Sequence, residues 1–299
     1  MERPEGIVDF VPDPDLLPFE SRWFASSVGP VHYIDEGKGR PLLLLHGNPD
    51  WSFLYRNIVT GLKDRFRCVA LDYPGFGLSI HPDGYESTAA EHATVVREFV
   101  EHLDLADMVV MGQDRGGPIG METASQMPDR VGGLVMGNTW FWPADAVMLT
   151  SFSRAMGSRP MQSLIIKRNF FVTTLMKRTL KVDLTDREFD HYVKVVPTPE
   201  SRRGIAVFPI QIRSARPWMA ELEPRVKSTL SSKPIVLIWG MKDPAFGASS
   251  VLERWKTTFP QAKVIRLGAA GHYIQEDAPD QIIEAIGSTF GPTPGKPST

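Results

Sequence analysis

Apolar runs of strand length alternate along this chain with longer amphipathic segments of helical spacing. Most of the runs are continuous in Val, Ile, Leu and Met, which is typical of strands buried on both faces of a parallel sheet. Gly29 and Pro30 lie between the first two runs and predict a hairpin turn there. Strands are predicted at residues 23–27, 31–35, 41–48, 66–72, 108–113, 131–138, 234–240 and 262–268.

Helical segments follow most of these strands. Apolar side chains near 3.6-residue spacing predict a helix from about Ser87, and further helices are predicted directly after residue 114, through 251–259 and through 279–290. Repeating β and α units predict an α/β fold, with a mostly parallel sheet covered by helices on both faces. The active site of such a sheet lies beyond the carboxyl ends of its strands.

The alternation stops between residues 140 and 217, where Arg and Lys are mixed with Phe, Met and Leu at helical spacing. Because no strand-like run occurs there, the segment is predicted to be a helical cap inserted into a core formed by residues 1–139 and 218–290. Residues 291–299 are rich in Pro and Gly and are predicted to be a disordered tail.

Charge and composition narrow the possible functions. The 299 residues include 33 Lys plus Arg against 35 Asp plus Glu, a balance that argues against a nucleic-acid partner. Cys68 has no second cysteine with which to form a disulfide or a cysteine-based zinc site, and it favours a reducing compartment. The acidic, proline-containing start does not resemble a signal peptide, and no apolar run approaches the ~20 residues of a membrane span. We therefore expect a cytoplasmic protein without membrane insertion.

The segment GQDRGG, residues 112–117, lies between a predicted strand and a predicted helix. Its pattern of small residues around a central Asp is typical of a nucleophile elbow, in which Asp114 takes the position more often held by Ser. Side chains at positions 112 and 116 would collide with the backbone of so sharp a turn. The alternative is an ordinary turn whose Asp caps the next helix.

Three other strand ends carry groups that suit an Asp nucleophile. The loop after the third predicted strand contains Asn48, and in this fold that loop supplies a backbone N–H to an oxyanion hole. Asp243 follows a late strand and His272 follows the last one. The chain order of nucleophile, acid and base is that of the α/β hydrolases. The alternative is that Asp243 and His272 are ordinary surface residues.

The segments HGNPDWSFLYRN, DYPGFGLS, GQDRGG, WGMKD and GHYIQEDAP resemble the haloalkane dehalogenases of the α/β hydrolase superfamily, and the resemblance covers nearly the whole chain. The acid of that family follows either of two strands, and this chain has Asn138 at the earlier position and Asp243 at the later one. With Asn48 in HGNP, it is similar to the subfamily that has an Asp acid and an Asn halide ligand.

The resemblance implies a hydrolase that forms a covalent ester on Asp114 while halide leaves a saturated carbon. An Asp of ordinary pKa, ≈ 3.9, is ionised at pH 7 and needs no base for this attack. His272, oriented by Asp243, would then activate water, while the N–H groups of Asn48 and Arg115 stabilise the oxyanion. We expect no cofactor and no metal. The expected partners are a small halogenated or epoxide substrate, water and halide ion.

One position departs from the family. The dehalogenases have Trp directly after the nucleophile, where its N–H holds the departing halide, and this chain has Arg115. We expect the Arg115 side chain to point into the active-site pocket, where it would bind halide. Replacement N–H donors in the predicted cap region are Trp140, Trp142 and Trp218.

Arg115 leaves three alternatives open. Arg115 resembles the Arg that follows the nucleophile in fluoroacetate dehalogenases, where it binds the substrate carboxylate. Those enzymes have a second Arg three positions later, where this chain has Pro118. An epoxide hydrolase has the same catalytic groups but uses cap tyrosines, and Tyr192 is the one Tyr of this predicted cap. A third alternative is an inert binder of small ligands, in which Arg115 forms an ion pair with Asp114 and suppresses its reactivity.

Overall fold

A computed structural model describes residues 3–292. Its eight strands form one sheet in the order β1-β2-β4-β3-β5-β6-β7-β8. The first two neighbouring pairs, β1 with β2 and β2 with β4, are antiparallel, and all later pairs are parallel. The strands are β1 Arg22–Ser26, β2 Gly29–Gly37, β3 Arg40–Leu45, β4 Phe66–Leu71, β5 Met108–Asp114, β6 Val131–Thr139, β7 Ile235–Gly240 and β8 Lys263–Leu267.

The predicted α/β hydrolase architecture is confirmed, and one local prediction is wrong. The turn between β1 and β2 is formed by Ser27 and Val28, whereas Gly29 and Pro30 already belong to β2. Pro30 is opposite Ala25 of β1, and the pairing of β2 with β4 begins only at Tyr33. Proline is tolerated at this position because its missing N–H removes no hydrogen bond to β4.

Helices lie between most consecutive strands. Short 3₁₀ helices occur at Ser52–Tyr55, Pro128–Arg130 and Glu200–Arg202, and a π-helix at Phe171–Met176. The α-helices are α1 Arg56–Leu62, α2 Ala89–His102, α3 Gly116–Gln126, α4 Val147–Met156, α5 Arg159–Arg168, α6 Lys177–Thr179, α7 Asp186–Lys194, α8 Arg203–Ser214, α9 Arg216–Thr229, α10 Ser249–Thr258, α11 Ile274–Asp277 and α12 Pro279–Phe290.

Alternate residues of most strands enter two separate apolar cores, one on each face of the sheet. Leu43 and Leu45 of β3 pack in the core that contains apolar residues of α2 and α3. Leu42 and Leu44 pack on the other face, against α1 and α12. Because the period of side-chain direction along a strand is two, one continuous apolar run supplies both cores.

The segment between β6 and β7 contains α4 to α9 and no strand within the described residues. The boundary predicted at residues 217–218 falls in the first turn of α9, a helix that also contacts α3 of the core. The predicted division into core and cap stays a prediction. Most of the predicted tail, residues 293–299, lies outside the described part of the chain. No helix among residues 3–292 has the length and apolar composition needed to cross a membrane.

Candidate active site

Asp114 stands at the sharp connection between β5 and α3. Its φ of 49° lies in the left-handed region, which is uncommon for a residue with a side chain. A Cβ at Gly112 would lie 2.5 Å from the Gly116 carbonyl oxygen, and a Cβ at Gly116 would collide with the Leu45 carbonyl. Only glycine fits at these two positions. The turn has the backbone features of a nucleophile elbow.

Asp114, Asp243 and His272 come together from the ends of three strands. The His272 Nδ1 lies 2.8 Å from the Asp243 Oδ2, which is a hydrogen-bond distance. The His272 Nε2 lies 4.0 Å from the Asp114 Oδ1, too far for a direct hydrogen bond. The imidazole therefore stands between the two carboxylates, bonded to one and facing the other.

The charges around His272 set its protonation. Burial alone lowers the pKa of an imidazole, but the Asp243 and Asp114 carboxylates reverse this and raise the pKa of His272 to about 9. Burial raises the pKa of Asp114, while His272 and the backbone N–H groups of Asn48 and Arg115 oppose that effect. Burial also acts on Asp243, but its bonded partners hold the pKa of that carboxyl below its ordinary value.

Asn48 contacts the Asp114 carboxylate from the loop after β3. Its backbone N–H donates to the Asp114 Oδ2 over 3.0 Å. Its side-chain Nδ2 donates to the Ile205 carbonyl of α8 over 3.4 Å. A Cβ at Gly47 would lie 2.7 Å from the Cβ of Asp114, so the loop can approach this closely only because residue 47 is glycine.

A cavity of about 250 Å³ opens above these groups. The lining residues with polar side-chain atoms are Asn48, Asp114, Thr179, Asp243, His272 and Tyr273, and apolar side chains form most of the rest. The walls contributed by the segment between β6 and β7 consist of Met148, Leu149, Phe152, Phe171, Leu175, Thr179, Phe208 and Ile212. A largely apolar cavity beside a carboxylate and an imidazole suits a small, poorly hydrated substrate.

Comparison with known proteins agrees with this geometry. Residues 40–279 match the alpha/beta hydrolase fold family. Haloalkane dehalogenase 2 of Mycobacterium tuberculosis is 53% identical over 284 residues, which cover 95% of this chain and 99% of that protein. The chain belongs to the haloalkane dehalogenase family.

One solved structure and one further relative extend the comparison. The haloalkane dehalogenase DbeA from Bradyrhizobium elkani has the same fold, with a TM-score of 0.82 at 23% identity over 90% of this chain and 97% of DbeA. A cis-3-alkyl-4-alkyloxetan-2-one decarboxylase of Shewanella oneidensis is 30% identical over 91% of this chain and 88% of that protein.

The Arg115 side chain of this dehalogenase-family member does not line the cavity. Its Nη2 donates to the Ser87 carbonyl, and its guanidinium carbon lies 5.6 Å from the ring centre of Phe208. Its Nε and Nη1 have no hydrogen-bond partner among the described residues. The expected direction into the pocket is wrong, because the guanidinium binds the Ser87 carbonyl outside the cavity lining. The ion pair with Asp114, which the inert-binder alternative required, is not formed among the described residues.

The three Trp residues predicted as halide donors also lie outside the cavity lining. Trp140 contacts the cavity wall from behind: its ring stacks on the ring of Phe246, a lining residue, with centroids 5.2 Å apart. Its Nε1 is buried without a hydrogen-bond partner among the described residues. Trp142 packs on Trp255, and Trp218 is a partly buried residue of α9.

Tyr192, the residue that an epoxide hydrolase would need in the cap, is buried and donates its hydroxyl to the Glu276 Oε1. Arg56 binds the same carboxylate through two nitrogens, so Glu276 joins α1 to α7. Because Tyr192 does not line the cavity, it gives no support to epoxide protonation.

Two buried polar residues near the site were absent from the predicted set. The Gln113 Nε2 donates to the His272 carbonyl over 2.9 Å and lies 3.2 Å from the His272 Nε2. Both carboxyl oxygens of Asp50 lack a hydrogen-bond partner within the described chain, and burial holds the pKa of this carboxyl well above its ordinary value. Gln113 lies within the GQDRGG motif and Asp50 within HGNPDWSFLYRN, and these positions are the one sequence signal that could have found them.

Proposed function

We propose that this protein hydrolyses the carbon–halogen bonds of small haloalkanes, with Asp114 as nucleophile, to give an alcohol, a halide ion and a proton. One observation carries the proposal: the Asp114 carboxylate borders an apolar cavity, with one oxygen held by the Asn48 N–H and the other facing His272 at 4.0 Å. The 53% identity to a protein named haloalkane dehalogenase 2 supports the same activity.

In the first step, a carboxylate oxygen of Asp114 attacks the carbon that bears the halogen. A C–O bond forms, the carbon–halogen bond breaks, and halide departs with the bonding electrons. The side-chain amide of Asn48 lines the cavity, and its Nδ2 has a second hydrogen beside the one donated to the Ile205 carbonyl, so we assign it as the halide donor. The apolar walls of the cavity lower the local dielectric constant, which strengthens this interaction.

In the second step, water hydrolyses the ester. Ester formation removes the negative charge of Asp114, one of the charges that raise the pKa of His272. The pKa of the imidazole therefore falls, His272 releases its proton to solvent, and the neutral imidazole takes a proton from the water that attacks the ester carbonyl of Asp114. The bond between that carbonyl carbon and the alkyl oxygen then breaks, the alcohol leaves with a proton, and the Asp114 carboxylate is restored. The backbone N–H groups of Asn48 and Arg115 stabilise the oxyanion, and Asp243 stabilises the imidazolium.

A substrate panel tests the proposal. Purified protein is incubated with 1-bromobutane, bromoacetate and 1,2-epoxyhexane, and both halide release and diol formation are measured. We expect halide and 1-butanol in equal amounts from 1-bromobutane, with neither appearing for the Asp114→Ala variant. Diol formation without halide release from any substrate would favour an epoxide hydrolase and contradict the proposal.

The apolar cavity wall favours a second candidate, decarboxylation of a β-lactone with two alkyl substituents, the activity in the name of the Shewanella relative. Asp114 would open the ring at the saturated carbon and displace a carboxylate instead of halide. Loss of carbon dioxide would then form the alkene and return the electrons to Asp114, with no water consumed. A His272→Phe variant that still makes alkene from such a lactone, but no alcohol from 1-bromobutane, would separate the two reactions.

A further inference from the structure

A second group of buried polar side chains lies beside the elbow, outside the cavity lining. It consists of Arg115 with Tyr73, Tyr85, Ser87 and His92, and we name it the Arg115 cluster. Arg115, Tyr73, Ser87 and His92 are each 2% exposed or less. Each of these four has at least one side-chain nitrogen or oxygen without a hydrogen-bond partner among residues 3–292. So many unpaired polar atoms in one interior region are uncommon and call for a physical explanation.

Contacts place these side chains together. The Arg115 Nη2 donates to the backbone carbonyl of Ser87. The Tyr73 ring stacks on His92 with centroids 4.8 Å apart, and the Tyr85 hydroxyl lies 2.8 Å from the His92 Nδ1. Burial is the main reason that the pKa of His92 lies well below its ordinary value, and the Arg115 charge lowers it further. His92 is therefore neutral and within electrostatic range of the guanidinium.

The unpaired groups of the Arg115 cluster are hydrogen-bond donors. The Tyr85 hydroxyl and the His92 Nδ1 share one hydrogen bond, and we assign the hydroxyl as its donor, which puts the single hydrogen of the neutral imidazole on Nε2. The unpaired atoms are then N–H or O–H groups: Arg115 Nε and Nη1, His92 Nε2, Tyr73 Oη and Ser87 Oγ. Donors in this number, with no acceptor opposite them, match an acceptor supplied from outside the chain.

The Arg115 guanidinium also has no salt-bridge partner among the described residues. The carboxylates that act most on the Arg115 guanidinium are Asp114 and Glu91. Asp114 accepts the Asn48 N–H, and Glu91 accepts the N–H of Thr88 in the cap of α2. Neither forms a salt bridge with the guanidinium in the described chain. A buried cation without a partner is costly, and a bound anion removes that cost.

We propose that the Arg115 cluster binds a small monovalent anion such as chloride or bromide. The ion accepts N–H bonds from Arg115 and His92 and O–H bonds from Tyr73 and Ser87. Tyr85 and Ser87 of the cluster also line a surface cleft of about 380 Å³, and we assign this cleft as the route by which the ion enters. The proposal concerns equilibrium binding, so it does not depend on turnover in the cavity.

Anomalous diffraction from bromide tests the site directly. The intact protein is crystallised in sodium bromide, and data are collected at the bromine absorption edge. We expect an anomalous peak within hydrogen-bond reach of the Arg115 Nε or Nη1 and the Tyr73 Oη. An absence of anomalous signal there, with water occupying the donors or with bromide only in the cavity, would overturn the proposal.

Bromide binding in solution is compared between two variants that differ in one donor of the Arg115 cluster. The background is Asn48→Ala, which removes the side-chain amide of the cavity but leaves the Arg115 cluster complete. In this background, bromide should raise the melting temperature relative to gluconate at equal ionic strength. Tyr73→Phe removes one O–H donor at nearly constant shape and should weaken bromide affinity about tenfold. Equal affinity with and without Tyr73→Phe, or no bromide effect in the Asn48→Ala background, would count against the site.

Discussion

Asn138 donates a side-chain hydrogen bond to Asp243 over 2.8 Å, and the oxygen that accepts it also lies 2.8 Å from the His272 Nδ1. Asn138 stands at the end of β6, the position at which other members of the family place the acid. Here it holds the Asp243 carboxylate instead. It is tied to the next strand twice more, through the carbonyl and the N–H of Gly240.

Asp243→Asn should lower halide release by about 10⁴-fold, as neutralising the orienting carboxylate does in serine proteases. The carboxylate raises the pKa of His272 and fixes its orientation, and an amide does neither. Steady-state rates on 1-bromobutane measure the loss, and circular dichroism checks the fold. Asn138→Leu is the comparison variant, with an expected loss of only about tenfold because the carboxylate remains. Near-native turnover by Asp243→Asn would place the acid elsewhere.

His272→Phe should stop the reaction after ester formation. The nucleophile and the Asn48 N–H remain in place, while the base for the attacking water is gone. Intact-mass measurement after addition of 1-bromobutane should show one butyl adduct, and peptide mapping should place it on the peptide that contains Asp114. The double variant Asp114→Ala/His272→Phe controls for alkylation of other side chains. An adduct of equal yield in that control would refute ester formation at Asp114.

Protein stability should fall as the pH rises from about 6.5 to 9. The ordinary pKa of histidine is 6.5, and that of His272 in the folded chain is about 9. Because the pKa of His272 is higher in the folded chain, the imidazolium makes its full contribution to the free energy of unfolding below pH 6.5. That contribution is lost as the imidazolium deprotonates toward pH 9. Urea unfolding of the native protein and of His272→Phe gives the difference at each pH. That difference should shrink by up to about 1.4 kcal/mol per pH unit across this window, and a constant difference would contradict the raised pKa.

Arg115→Trp should raise halide release from neutral bromoalkanes by about one to two powers of ten. This expected increase does not come from release of Asp114 from an ion pair, because the Arg115 guanidinium donates to the Ser87 carbonyl. An indole N–H at this position adds a second donor to the departing halide, and such a bond contributes roughly 1.5 to 3 kcal/mol. Arg115→Phe, which lacks the N–H, is the control. Equal rates for the Trp and Phe variants would show that the donor has no effect.

Asp50→Asn should stabilise the protein increasingly as the pH rises above 3.8. Burial, together with the charges of Asp114 and Glu276, keeps the folded pKa of Asp50 well above its ordinary value, against an opposing effect of His272. The folded chain therefore retains a proton that the unfolded chain releases, and stability declines with pH. The Asn variant lacks this decline. Its advantage in unfolding free energy should grow by about 1.4 kcal/mol per pH unit, and an advantage independent of pH would exclude a raised pKa.

The sheet and the meeting of Asp114, Asp243 and His272 were predictable because both follow from local patterns. Short continuous apolar runs are typical of strands that are buried on both faces of a sheet. The carboxyl ends of parallel strands meet at one edge of that sheet, which brings the three residues together. The glycines at 112 and 116 mark a turn that excludes side chains. Each of these properties is encoded within a few consecutive residues.

The direction of Arg115 and the packing of the Trp residues were not predictable, since each depends on a distant partner. The Ser87 carbonyl accepts a hydrogen bond from the Arg115 guanidinium, and Ser87 precedes α2 with a φ of 56°. The residues near position 115 contain no signal that predicts this distant contact. Trp140 packs against Phe246, more than one hundred positions later. Competition among partners far apart in the chain decides such orientations.

The hydrogen bond from Asn48 to the Ile205 carbonyl joins the loop beside the nucleophile to α8, a helix that also forms part of the cavity wall. Substrate size and leaving-group preference are therefore not independent properties of this molecule. A chimera that receives α8 and its neighbouring helices from another member of the family would accept different carbon skeletons, and the ranking of iodide, bromide and chloride would change with them.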